Sequence, residues 1–168
     1  MNGYYVSGTF KQYESKKYTP DNSVLPEKIN AAALYNGVLY IATVTGMFII
    51  SDGNISRVFP EFENENITSL LPCGVKQMYI SFGKTICLIS DGICIKTREF
   101  GDKVVSVKRS ANDLWILTEG MIIKTDPLLE NDLLARPVEG GTATAFEIFG
   151  SGAYAATQTN LSVLHGKR

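Results

Sequence analysis

The chain has 168 residues, with 16 Lys and Arg residues against 17 Asp and Glu residues and a hydrophobic content of 45%. This length and balance predict one soluble globular domain with a buried core. A net charge of -1 without a basic cluster excludes nucleic acid as an expected partner, and no apolar run approaches the length that membrane insertion needs.

In chain order, residues 3–18 are predicted to contain one or two strands. A unit of four strands follows, at 29–35, 38–44, 47–51 and 54–59. Asn36-Gly37 and Asp52-Gly53 separate apolar runs within this unit, and such pairs signal hairpins because Gly supplies a positive φ.

Three similar units complete the chain. Their predicted strands are 67–71, 77–82, 85–90 and 93–100, then 104–109, 114–118, 121–125 and 133–138, then 142–149, 153–157 and 161–165. Helix is nearly absent, since only residues 128–135, bounded by Pro127 and Pro137, have the spacing of a short helical turn.

An aromatic residue marks each unit. Tyr5, Tyr40, Tyr79, Trp115 and Tyr154 are 35, 39, 36 and 39 positions apart, a repeat of about 37 residues. Repeated antiparallel units of this size predict an all-β fold, a β-propeller of about four, at most five, four-stranded blades.

The predicted blades lie near residues 29–60, 67–100, 103–138 and 141–168, within a single propeller or propeller fragment that spans 1–168. The fourth unit is one strand short, and residues 1–18 have strands left over. Pairing of the N-terminal and C-terminal strands would therefore complete the last blade and close a ring.

The segment LWILTEGM at 114–121, with a weaker echo LYIATVTGM at 39–47, resembles the repeat of two-component regulator propellers, whose core reads roughly L-W-I-G-T followed by G-L. The resemblance implies blades like those of sensor ectodomains, with related propellers in carbohydrate-processing systems. Where the family has Gly after the apolar residue, this chain has Ala42, Ser81, Leu117 or Ala156. The resemblance bears on fold more than on function.

No catalytic or metal constellation is visible in the sequence. The single histidine, His165, has no acid or nucleophile at a motif spacing, which argues against His-based triads and most zinc catalysis. Gly140-Gly141-Thr142 lacks the ending of a phosphate-binding loop. We therefore expect no catalytic residue, no metal and no cofactor.

The cysteines Cys73, Cys87 and Cys94 are interpreted as buried free thiols, because their number is odd and no C-x-x-C pair is present. A bridge between Cys87 and Cys94 across a hairpin is the alternative, although a reducing compartment fits the pattern better.

Ligands of radial β-repeats usually meet one ring face, built by loops between blades and by turns between second and third strands. This rule nominates Glu63, Lys84, Asp102, Glu119 and Gln158 as binding residues. The leading hypothesis is a non-enzymatic, sensor-like module that binds a protein or a small ligand, with carbohydrate as one class.

Two other functions stay open at this stage. The chain is alternatively part of a propeller hydrolase or lyase, with Glu119 and Asp102 converging near the axis, or a blade fragment that assembles into a larger ring as a homo-oligomer. The compartment is also open: cytoplasmic for a full-length chain, extracellular or periplasmic for an excised sensor domain.

Overall fold

The computed structural model describes residues 3–6, 9–12, 28–51, 54–74 and 76–165. Strands and tight turns make up nearly all of these residues, with one 3₁₀ helix at Pro60–Phe62 that the sequence did not predict. In the described ranges no helix is long and apolar enough to cross a membrane. The prediction of an all-β fold is confirmed.

The strands are numbered along the chain. The N-terminal hairpin consists of β1 (Gly3–Val6) and β2 (Thr9–Gln12). The first sheet contains β3 (Ile29–Tyr35), β4 (Val38–Thr43), β5 (Gly46–Ser51) and β6 (Asn54–Val58). The second contains β7 (Ile67–Cys73), β8 (Gln77–Phe82), β9 (Thr85–Ser90) and β10 (Ile93–Glu99). The third contains β11 (Val104–Ser110), β12 (Asp113–Thr118), β13 (Met121–Thr125) and β14 (Asp132–Pro137), and the fourth contains β15 (Ala145–Phe149), β16 (Gly152–Ala156) and β17 (Leu161–His165).

Each sheet is a meander in which consecutive strands pair antiparallel. The first strands of successive sheets contact one another, β3 with β7, β7 with β11 and β11 with β15. The first strands therefore lie innermost, and the later strands of each sheet extend outward. This radial order is that of propeller blades.

Local turn chemistry explains the predicted hairpins. Asn36 and Gly37 have φ values of 50° and 77°, and Asp91 and Gly92 have values of 50° and 79°. Positive φ at both central residues is the geometry of a type I′ turn, which matches the twist of the flanking strands. The predicted turn at 52–53 lies outside the described residues.

The core contains three similar clusters, one between each pair of successive sheets, and a fourth, smaller cluster within the first sheet. Representative fully buried members are Met47 and Ile80 in the first, Tyr79 and Ile116 in the second, and Leu117 and Ala155 in the third. Burial of each large apolar side chain stabilises the fold by about 1.5–3 kcal/mol. The blades are therefore held to their neighbours mainly by apolar packing.

The fourth sheet has three strands among the described residues. The hairpin of β1 and β2 forms a two-stranded sheet of its own, and no strand pairing in the described ranges joins it to the fourth sheet. Residues 13–18, which belong to the segment predicted to complete this blade, lie outside those ranges. Closure through residues 1–18 stays a prediction.

Two local predictions are wrong. Residues 128–135 do not form a helical turn, because the Asp126 carboxylate accepts hydrogen bonds from the backbone nitrogens of Leu128, Glu130 and Asn131 and β14 then pairs with β13. Cys87 and Cys94 are joined by a disulfide across the β9–β10 hairpin, with Cα atoms 6.3 Å apart. Cys73 is a buried free thiol, as predicted.

Candidate functional site

One end of the sheets, named the loop face, contains the turns between second and third strands together with the connections between sheets. Backbone hydrogen bonds join these two kinds of segment. The nitrogen of Asn64 donates to the oxygen of Thr45 at 3.1 Å, and that of Val138 donates to Gly120 at 2.8 Å. The loop face is therefore a continuous surface and not a set of separate turns.

The threonine that ends the repeat motif shapes these turns. The Thr43 hydroxyl donates to the oxygen of Gly46 at 2.8 Å, and the Thr118 hydroxyl accepts from the nitrogen of Met121 at 3.0 Å. Thr157 accepts from the nitrogen of Asn160 at 3.0 Å in the same way. Such side-chain bonds to nearby backbone fix a tight turn. The motif therefore encodes the geometry of the loop face as well as the strand.

All five residues predicted to bind a ligand lie on the loop face and are exposed. Glu63 and Asp102 belong to connections between sheets. The other three, Lys84, Glu119 and Gln158, belong to turns between second and third strands. The structure thus brings them to one end of the sheets. Their role in binding stays a prediction.

Two of the five are already partnered within the chain. Glu63 Oε1 lies 3.1 Å from Nη1 of Arg57, in an ion pair whose side chains are both substantially exposed. Lys84 Nζ donates to the carbonyl oxygen of Gly101 at 2.6 Å. These contacts hold both side chains across the surface. An exposed ion pair contributes at most about 1 kcal/mol, so a ligand can displace it cheaply.

The two acids proposed for an enzymatic alternative occupy adjacent loops. A Cβ added at Gly120 would lie 2.9 Å from Asp102 Oδ2, so the Asp102 carboxylate fills the space beside the turn that contains Glu119. The backbone nitrogen of Glu119 donates to Lys103 at 2.9 Å. Both side chains are exposed to solvent. They are not the deeply buried acid pair that would favour hydrolysis.

A shallow pocket of about 280 Å³ opens on the loop face beside the fourth sheet. Its lining consists of Gly140, Gly141, Thr142, Thr144 and Gln158. A side chain at residue 140 would meet the neighbouring asparagine amide at 2.3 Å, so a glycine is needed there. Gln158 is the one predicted binding residue in this lining.

A second pocket, of about 290 Å³, lies along the innermost strands. Its lining consists of Leu71, Lys108, Arg109, Ser110, Glu147 and Ile148. Lys108 Nζ donates to Glu147 Oε2 at 2.6 Å, and this hydrogen bond, with one from the nitrogen of Ile148, lowers the pKa of the Glu147 carboxyl. The pocket combines cationic groups with an ionised carboxylate, which suits a polar ligand.

Sequence reasoning missed this inner pocket. Lys108 and Glu147 are separated by 39 positions and meet only because β11 and β15 are neighbouring innermost strands. The sequence contained one signal for this pocket, the basic pair Lys108-Arg109 on the first strand of its unit. The equivalent pairs in the first two units, Ala33-Leu34 and Leu71-Pro72, carry no charge.

Metal binding gains no support from the described part of the chain, where no group of three or more His, Cys, Asp and Glu residues is arranged to hold an ion. His165 ends β17, and its ring packs edge-to-face on Tyr154 at 6.3 Å between centroids. This contact gives the histidine a structural environment on the outward side of the fourth sheet.

No protein-family model matches the chain, and no curated protein matches it in sequence. The chain is 11% identical to the WD40 beta propeller domain of Doa1, with a TM-score of 0.71, over 84% of this chain and 52% of that one. It is 17% identical to the extracellular domain of the hybrid two component system BT4673 from B. thetaiotaomicron, with a TM-score of 0.68, over 89% of this chain and 22% of that one.

The computationally designed Ika8 protein is also similar, at 13% identity and a TM-score of 0.67, over 83% of this chain and 46% of that one. The chain thus spans about half the length of two of these proteins and about a fifth of the third. At these identities the likeness establishes fold alone. With the radial four-sheet arrangement, it shows that the protein adopts a β-propeller fold, built from the predicted antiparallel blades.

Proposed function

We propose that the protein is a non-enzymatic β-propeller module that binds a protein or a small ligand through its loop face. The observation that carries the proposal is the grouping of Glu63, Lys84, Asp102, Glu119 and Gln158, all exposed, at one end of a rigid set of sheets. Loops held by a rigid scaffold are the usual place for recognition.

The physical basis of recognition would be preorganisation. The turns of the loop face are fixed by Thr43, Thr118 and Thr157 and by backbone bonds to the connections. A ligand that binds there orders few additional groups, so less of the interaction free energy is lost to entropy. Carboxylates, an ammonium and an amide on one surface suit a polar ligand such as a peptide or an oligosaccharide.

The likeness to an extracellular domain of a two component system supports the proposal that ligand binding serves a sensor-like role. In that case the loop face would report the presence of a ligand to the rest of a longer assembly. The proposal is limited to binding, because no observation on the described residues favours a catalytic step.

A ligand screen with matched variants tests the proposal. Thermal stability of the wild type would be measured against a panel of oligosaccharides and short peptides, and the screen repeated with the variant E63A/K84A/D102A/E119A/Q158A. The control variant, K96A/T97A, removes exposed polar side chains from the middle of the outermost strand β10.

A ligand at about 100 times its dissociation constant should stabilise the fold by about 2.7 kcal/mol. We expect this gain in the wild type and the control, and its loss in the fivefold variant. Ligands that stabilise all three proteins equally would contradict a loop-face site.

A further inference from the structure

The inner pocket lies at the end of the sheets opposite the loop face. Its lining includes Ser110, which ends β11 at the turn between first and second strands, whereas the loop-face connection enters β11 at Val104. The first strands of three sheets border it, with Leu71 on β7, Lys108–Ser110 on β11 and Glu147 on β15. A ligand in this pocket would therefore contact three blades and none of the five loop-face residues.

The inner edge of β11 adds backbone groups to the pocket. β11 is the first strand of its sheet and pairs with β12, and no other strand of the described ranges pairs with it. In an antiparallel pair, the backbone N–H and C=O groups of alternate residues point away from the partner strand. The edge of β11 that lies against the pocket therefore presents hydrogen-bonding groups that no strand occupies.

Charge balance distinguishes Arg109 from the other cations at this end. Lys108 Nζ is paired with Glu147 Oε2 at 2.6 Å. In an adjoining cavity of about 230 Å³, Lys124 Nζ is paired with Asp113 Oδ2 at 2.7 Å. The Arg109 guanidinium has no carboxylate within ion-pair distance in the part of the chain that the structure describes. Arg109 is therefore the cation that an anionic group can neutralise without displacing an existing partner.

The Arg109 guanidinium is held in place and keeps free donors. Its Nε donates to the backbone oxygen of Ala111 at 3.1 Å, and its Nη1 donates to Sγ of Cys73. Its Nη2 makes no hydrogen bond among the described residues. A guanidinium fixed in this way loses little further entropy on binding, and its planar fork matches the two oxygens of a carboxylate.

We propose that the inner pocket is a second binding site, which takes a small hydroxylated carboxylic acid. The ligand carboxylate accepts hydrogen bonds from Arg109 and from the Ser110 hydroxyl, and a ligand hydroxyl donates to Glu147, whose side chain is 73% exposed. The pocket volume of about 290 Å³ lies near the lower limit for ligand sites, so a sugar-sized acid fits it better than a polymer. The inference does not rest on a ligand at the loop face.

A titration followed by amide chemical shifts in solution NMR tests the proposal. The probes are glucuronate and gluconate, with glucose and sorbitol as neutral counterparts that have a CH₂OH group in place of the carboxylate. At constant ionic strength, the two acids should shift the amide resonances of residues 108–110 and 147–148. The neutral counterparts should bind about 10-fold more weakly or less, because the charge-assisted hydrogen bonds are lost.

Variants of Arg109 test the role of the guanidinium. Arg109→Gln should raise the dissociation constant of both acids by about 10-fold or more, and Arg109→Lys, which keeps the charge without the fork, should have an intermediate effect. Lys103→Gln is the matched control, because it removes one positive charge from an exposed side chain at the loop-face end of β11. It should bind the acids as the wild type does.

The wild-type shift map keeps the proposal testable even where an Arg109 variant folds poorly, because it locates the site without a substitution. The fivefold loop-face variant should still bind both acids, which separates this site from the loop face.

Four results would overturn the proposal. The first is that neither acid shifts the resonances of the pocket at millimolar concentrations. The second is that the shifts fall on the loop face instead. The third is that acids and neutral counterparts bind equally well. The fourth is that Lys103→Gln weakens binding as much as Arg109→Gln does, which would mean that the acids respond to overall charge and not to this pocket.

Discussion

Tyr79 offers a sharp test of the packing between the second and third blades. Its side chain is 1% exposed, and its hydroxyl donates to the carbonyl oxygen of Pro127 at 2.7 Å. Burial is the main cause that raises the pKa of the Tyr79 phenol to about 12. Tyr79→Phe removes the hydrogen bond and leaves the Pro127 carbonyl without this donor, so the free energy of unfolding at pH 7 should fall by about 1–2 kcal/mol.

The pH dependence gives the same residue a second, opposite effect. In the unfolded chain Tyr79 ionises near pH 10, and in the folded chain near pH 12. Stability from the neutral phenol is therefore fully present below pH 10 and is lost as the pH rises toward 12. At pH 11 the wild type should have lost about 1.4 kcal/mol that Tyr79→Phe cannot lose.

Urea unfolding followed by the fluorescence of Trp115, the single tryptophan, measures both effects. The wild type should be more stable than Tyr79→Phe at pH 7, and this difference should nearly vanish at pH 11. A difference of the same size at both pH values would refute the reasoning, because it would mean that the phenol is not protected from ionisation by burial.

Three further predictions concern turns and the disulfide. Gly140→Ala should lower the free energy of unfolding by about 1–3 kcal/mol in a urea titration, because φ is +84° and the new Cβ meets the Asn160 amide. Gly141→Ala is the control: φ is +109° but the new Cβ meets nothing, so it keeps the backbone strain without the clash and should lower stability less. Hydrogen bonds to the backbone and to Asn131 lower the pKa of Asp126, so the stability they give is present at neutral pH and lost as the pH falls through that lowered pKa. Asp126→Asn should flatten the acid limb of a pH–stability profile, and an unchanged limb would contradict this role. Reduction of the disulfide between Cys87 and Cys94 should lower the free energy of unfolding by about 2–3 kcal/mol. It should also raise the number of thiols titrated in the unfolded chain from one to three, and three thiols before reduction would exclude the bridge.

Local sequence determines the strands well in this protein. The bounds of β8, β9 and β13 coincide with the predicted segments, because alternating apolar residues and tight turns are encoded within a few positions. Two residues of the aromatic repeat, Tyr79 and Trp115, lie in the clusters between blades. The all-β propeller fold follows from these local signals.

Contacts between distant segments were less accessible. The Lys108–Glu147 pair depends on which strands become neighbours around the axis. The disulfide joins Cys94, which pairs with Ile89, to Cys87 two positions away on β9, next to a shift in strand pairing between Cys94 and Lys96. Neither the period nor the turn residues report such a shift. The five loop-face residues lie at one end because the meander alone fixes which turns share an end; their role in binding stays a prediction.

The three clusters between sheets differ in composition, and this difference affects local unfolding. Each blade contacts its neighbours in the chain, so opening can begin at an end and proceed one blade at a time. The third cluster contains the small residues Ala143, Ala153 and Ala155, and within the described ranges the fourth sheet has three strands where the others have four. Amide hydrogens of the fourth blade should therefore exchange before those of the second and third, which makes that blade the unit most easily rearranged by a partner.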